Sequence, residues 1–405
     1  METPFSSRFG ALTLGLLLAG CAKDVPTDVA PHLSAPHLSA AAADSKMAPM
    51  RVFATGLNNP RGLKFGPDGN LYVAEGGIGG WHLTTHCEQV PAPVGPYKGS
   101  PTGGRISRIN RKGERTTVTD KLPSSQANEL VGGDVEGVAD VAFVDHKLYA
   151  LLAGAGCSHG VPSVPNGVVR VRPDGSTRRV ADISDYLEDH PVKNPEKDDF
   201  EPDGTPYSMV NVRGDLYVVE PNHGELMKIT TQGKISRVVD ISASQGHIVP
   251  TALAHRGNFF VGNLNTFPIV EGSSKLYEIT ASGSIRVWAT GFTTVLGLVF
   301  GHDGFAYVLE NTVGAPFPTP GKGRIVEVSP AGKKKVIATG LSLPTGMTMG
   351  PDGNLYVSNI GFGPKAIGGG QILLIDIDES HPYHNDHDAD DNDDSVQGQQ
   401  LDQDE

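Results

Sequence analysis

The sequence lacks the short motifs by which many catalytic folds are recognised. It has no Gly-x-Ser-x-Gly elbow, no His-Glu-x-x-His, no Gly-rich phosphate loop and no dinucleotide-binding fingerprint. Ser208, in Thr-Pro-Tyr-Ser, reads as a strand residue with no base beside it. These absences set aside enzymes that carry a local signature, though not a site assembled from scattered strand ends. No basic stripe is present, which removes nucleic acid as a partner. Aromatic residues make up only 6 % of the chain against 51 glycines, a balance suited to many short strands and turns and to no long helix. The one long apolar run, residues 9–19, is too short to span a membrane.

What is present is repetition. The phrase GPDGNLYV occurs at Gly66 and again at Gly350, and weaker copies lie between. Aligned on the aromatic, six copies place Tyr72, Tyr149, Tyr217, Phe260, Tyr307 and Tyr356 at spacings of 77, 68, 43, 47 and 49 residues. Each copy reads as a tight turn followed by a half-buried strand. A short apolar strand precedes it, and two more strands joined by a Gly turn follow, as in GVVRVRPDGSTRRVAD. Four strands per unit and six units predict an all-β fold, a six-bladed β-propeller over residues 50–378. The last unit has only three strands, so residues 50–55 (MRVFAT) are expected to supply its fourth and close the ring.

The two ends read differently. Residues 1–20 have the pattern of an export signal, and Leu18-Ala19-Gly20-Cys21 matches a bacterial lipobox, which would put a lipid on Cys21. Residues 21–49 contain the duplicated PHLSAPHLSAAAA and are expected to form a flexible linker. From Asp376 onward there are twelve acidic residues and no Lys or Arg. The whole chain carries 33 minus 46, or −13, so the remainder is near −1 and the acidity belongs to the tail. Residues 379–405 read as a disordered solvating tail, superficially like calcium-binding loops but without their Gly and terminal Glu.

Strand alternation puts the short turns on one face of the disc and the long insertions on the other: residues 78–103, 153–165, 184–202, 264–273, 311–322 and 360–369. Long connections on a rigid scaffold are where function resides. Counting to the end of each second strand gives Glu75, Glu220, Asn263, Glu310 and Asn359, oxygen-bearing residues expected to ring the mouth of the central channel. Such a ring would hold Ca²⁺ or another divalent ion, serve as an acid and base pair, or bind only water. Arg61, in Asn-Pro-Arg-Gly, is placed on the same face, either to meet an anionic ligand or to pair with Glu75. Cys87 and Cys157 occupy equivalent insertions of adjacent units, which in an exported chain points to a disulfide between loops. A metal site made with His82, His86 and His159 is the competing assignment.

The units ATGLNNPRGLKFGPDGNLYVAE, DGTPYSMVNVRGDLYVVEPN, VPTALAHRGNFFVGNLNTFPIVEGSSKLYEI, VLGLVFGHDGFAYVLE and LPTGMTMGPDGNLYVSN match in order and resemble the ScyD/ScyE family of exported β-propellers across about residues 50–378. The resemblance implies an exported propeller and brings no catalytic residue with it. More distantly, the units are similar to NHL repeats and to gluconolactonase-like propellers, which polarise an ester with a channel-mouth metal; this is an analogy of fold. The expectation is a membrane-tethered lipoprotein of the cell envelope, periplasmic or on the outer surface. It would be monomeric and bind a small molecule or an envelope protein on its long-loop face. The alternative is a divalent-metal-dependent hydrolase or lactonase that uses the five ring residues as ligands, with one carboxylate doubling as base.

Overall fold

The computed structural model describes residues 47–128, 134–195, 197–198, 200–363 and 366–377. The export signal, Cys21 with most of the linker, and the acidic tail lie outside them. The described strands form six antiparallel sheets, the blades of a propeller. The innermost strands run Pro60–Phe65, Val138–Val144, Ser208–Val212, Pro250–Arg256, Val295–Phe300 and Gly346–Met349 for blades 1 to 6. Each touches the next, and the sixth touches the first, so the ring is closed.

Closure happens as the repeat count requires. Met50–Leu57 pairs antiparallel with Gly370–Ile375 and becomes the outer strand of blade 6. Ala54 and Leu57 from this strand are buried together with Ile372, Leu374 and Tyr356 of blade 6 and Leu63, Leu71, Val73 and Ile109 of blade 1. Side chains of this size each stabilise by about 1.5–3 kcal/mol when fully buried, so the seam between the two ends is a core in its own right.

The repeated phrase acquires a physical meaning here. In both full copies the turn is closed by the Gly amide donating to the Asn carbonyl, Gly66 to Asn70 at 2.8 Å and Gly350 to Asn354 at 2.7 Å. Gly69 and Gly353 take φ of 72° and 80°, which a side chain would strain. The tyrosine hydroxyl then donates to the turn aspartate, Tyr72 to Asp68 at 3.0 Å and Tyr356 to Asp352 at 2.9 Å. Its ring meets the phenylalanine of the next blade's inner strand edge-on, Tyr72 on Phe143 and Tyr356 on Phe65, both at 5.0 Å. The phrase is thus a blade-to-blade coupling, and its two full copies flank the closing seam on either side.

The long-loop face is more structured than the sequence suggests. The insertion of blade 1 is shorter than the expected residues 78–103, because the third strand, Lys98–Ile109, and the fourth, Arg115–Gln126, are both extended toward that face. A short strand, Val135–Glu136, adds a fifth member to the sheet by pairing with Ser125 and Gln126. The connection between blades 2 and 3 opens with a helix, Ile183–Asp189, whose N-cap Asp182 accepts from the Asp185 amide. Such a cap is worth about 1 kcal/mol.

Candidate functional site

The five residues expected to ring the channel mouth stand in five separate blades, each hydrogen-bonded inside its own sheet. Glu75 accepts from the Asn58 amide at 2.6 Å, from Arg105 at 2.8 and 2.5 Å and from Ser107 at 2.5 Å. Glu310 accepts from the Thr293 amide and from Arg324, each at 2.5 Å. Glu220 takes three backbone amides, Thr205 at 2.8 Å, Asn222 at 3.2 Å and His223 at 2.5 Å. Asn263 donates to the Ile248 carbonyl at 3.0 Å and accepts from the Lys275 amide at 2.7 Å, while Asn359 accepts from the Ser342 amide at 2.8 Å.

The common element is a latch. In these five blades the residue that ends the second strand holds the backbone leading into its own blade's inner strand. The three carboxylates are fully buried, and their ligand atoms do not come together in a shared cluster among the described residues. The expected convergence at the axis fails for a geometric reason. Only the innermost strand of a blade faces the channel, and a second strand is one sheet position removed from it.

The mouth is lined instead by the starts of the inner strands. Arg61, buried, donates to Asp134 at 2.7 Å and to the Val135 carbonyl at 2.6 Å, so its partner is Asp134 and not Glu75. Tyr207 of blade 3 reaches across the ring and donates to the Thr345 carbonyl of blade 6 at 2.7 Å. Below it, Asp140 accepts from the Met209 and Val141 amides at 2.8 Å, and burial pushes its carboxyl above the usual range against the pull of Lys64. Gly62 makes room for it, since a Cβ there would lie 2.0 Å from the Asp140 oxygen. The cavity left among Arg61, Asp134, Glu136 and Tyr207 is about 60 Å³.

Beside this mouth the long loops assemble a second group. The disulfide between Cys87 and Cys157 forms as the insertion spacing predicted. It ties the blade 1 insertion to the blade 2 insertion, and alongside it His82 Nδ1 donates to the Gly160 carbonyl at 2.8 Å. His86 lies 3.5 Å from the Cys157 sulfur. His159, fully buried, faces two carboxylates, Glu136 at 3.1 Å and Glu201 at 3.5 Å, and the Tyr97 hydroxyl stands 3.4 Å from each of those acids.

Burial opposes charge on this imidazole, but the two acids outweigh it and raise the His159 pKa to about 10. The ring therefore holds both protons at neutral pH. Nδ1 meets Ser158 Oγ at 3.2 Å, and Ser158 in turn donates to Asp203 at 2.6 Å. This chain superficially mimics a hydrolytic triad. Ser158 is nevertheless fully buried and its hydroxyl hydrogen is already given to Asp203, so it is no nucleophile. Glu136, His159 and Glu201 could hold a metal, their three ligand atoms lying within 4.8 Å of one another. Of these, His159 was visible beside Cys157, whereas Glu136 and Glu201 sit in connections with no repeat partner.

Outside this group a cleft of about 550 Å³ opens between the disulfide, the helix Ile183–Asp189 and residues 191–195 and 200–203 of the blade 2–3 connection. Leu187, Val192 and Phe200 give it an apolar wall, and His223 lines it from blade 3.

No family model and no curated protein matches the chain. Among solved structures, it is similar to an oxidoreductase of the glucose dehydrogenase type from Thermus thermophilus, at 17 % identity and TM-score 0.50, over 81 % of this chain and 99 % of that one. It is also similar to a protein of unknown function from Bacteroides thetaiotaomicron, at 10 % identity and TM-score 0.50, over 82 % and 73 %. A gluconolactonase from Xanthomonas campestris aligns at 10 % identity and TM-score 0.48, over 83 % and 93 %. At these identities the likeness is one of architecture alone, and it agrees with the blade count: the chain is a six-bladed β-propeller.

Proposed function

We propose that this chain is an exported propeller of the ScyD/ScyE kind, held at the cell envelope by a lipid on Cys21, that binds a small molecule or a peptide segment of an envelope protein in the long-loop cleft. The observation that carries the reading is the cleft itself. Ligand sites occupy about 300–1,000 Å³, and at about 550 Å³ this cleft falls within that range. The channel-mouth cavity, at about 60 Å³, has room for a water or two and not for a substrate. Three long segments wall the cleft, and a disulfide fixes two of them, which lowers the ordering cost on binding. The test is a thermal-shift screen of small molecules and short peptides against the wild type and Glu188→Trp, an exposed rim substitution that narrows the cleft. Ligands that stabilise the wild type and fail with Glu188→Trp support the reading. Ligands indifferent to the substitution, or none at all, overturn it.

The second reading, a divalent-metal-dependent hydrolase, is favoured by one observation, the grouping of Glu136, His159 and Glu201. The metal would lie there and not on Glu75, Glu220, Asn263, Glu310 and Asn359. A cation would have to displace the His159 proton, so uptake would weaken as pH falls and each ion bound would release a proton. Elemental analysis of protein purified without chelator decides it. One ion per chain, lost in Glu201→Gln, supports a metal at this site, and a metal-free wild type removes it.

A further inference from the structure

The charge lining the cleft is one-sided. Among the described residues Glu88, Asp182, Asp185, Glu188 and Asp203 contribute to its wall, and no Lys or Arg does. Asp182 is engaged with Arg179 at 3.1 Å and with its helix cap, and Asp203 holds Ser158. Glu88, Asp185 and Glu188 have no cationic partner among the described residues. The propeller as a whole is close to neutral by the count above, so this concentration is local.

A second feature points to a donor-bearing ligand. His223 is only 4 % exposed and lines the cleft. Its Nε2 hydrogen goes to the Glu201 carbonyl at 3.2 Å, which leaves Nδ1 without a partner among the described residues and open to a donor. Phe200 packs against the His223 ring at 5.2 Å and forms part of the same wall. An ammonium or guanidinium group finds here what it needs: uncompensated carboxylates, an acceptor nitrogen and an aromatic face.

From this geometry we infer that the cleft selects an organic cation with an apolar body, an amine-bearing small molecule or the Lys or Arg side chain of a peptide. Leu187 and Val192 would cover the apolar body while Asp185 and Glu188 attract the charge from the rim. The inference rests on the cleft being the binding site, and its test separates the two.

Phenethylamine, phenylethanol and phenylacetate share one ring and differ in charge, and each is titrated into the full chain by calorimetry with ligand-observed NMR. The expected result is binding of phenethylamine, weaker or no binding of phenylethanol, and none of phenylacetate. In the double variant Asp185→Asn with Glu188→Gln, both exposed positions, phenethylamine should bind about tenfold more weakly, and the same loss should follow from raising the salt. Equal binding of amine and alcohol, or an affinity untouched by the double variant, overturns the selection for cations while leaving the cleft as a site. Binding of none of the three overturns the inference, and the Glu188→Trp screen then judges the cleft alone.

Discussion

Glu220 shows what a buried carboxylate can be for when it is not catalytic. Its two oxygens take three backbone amides, Thr205 at the entry to blade 3 and Asn222 and His223 just past its second strand, with no side-chain cation among its partners in the described residues. Glu220→Gln replaces an acceptor by an NH₂ group that must face an N–H, and should cost about 1–3 kcal/mol in denaturant unfolding. His159 gives a pH signature. Its folded pKa, about 10, lies above the 6.5 of a free imidazole, so the stabilisation from its charge is complete below pH 6.5 and is lost as pH rises toward 10. Chelator-treated wild type should lose stability across that window, and His159→Gln should be less stable at pH 6 with a flatter profile above it. The residue types at the second-strand ends could be found by counting along the repeat. Their direction could not, because the count places a residue along a strand and says nothing of how far that strand stands from the axis.

Among the elements, the insertions of blades 1 and 2 behave as one unit because Cys87 and Cys157 join them across a separation of 70 residues. Loop closure of that length is worth roughly 4 kcal/mol through the unfolded chain. The paired substitution Cys87→Ala with Cys157→Ala should lower stability by that order. Hydrogen exchange should rise in residues 82–99 and 156–161, where each insertion is bonded to itself, while the inner strands of blades 4 to 6 stay protected. This pairing was legible because both cysteines fall at equivalent places in adjacent units. Glu136 and Glu201 were not legible. One lies in a short strand added to blade 1 and the other in an irregular connection, and neither has a counterpart in another blade against which it would stand out.

At the scale of the molecule, period and phrase together revealed the ring, the strand that closes it and the face that carries the insertions. The repeat describes what blades share, and the cleft is built from what only one junction has. The closing strand has a further consequence. Met50 pairs with Ile375, and the Asp376 amide donates to the Pro49 carbonyl at 2.9 Å, so the chain enters and leaves the disc at one point. A circular permutant joined there by a short linker and reopened in the turn at Gly332 should fold to the same circular dichroism spectrum, with melting lowered by a few degrees; loss of cooperative unfolding would show that the seam nucleates the ring. That shared point also lies on the face of short turns, because Leu57, at the other end of the strand, pairs with Gly370 beside the insertion of blade 6. Protein grafted to a bead or sensor chip through either end would therefore stand with its clefts turned outward, ready for capture.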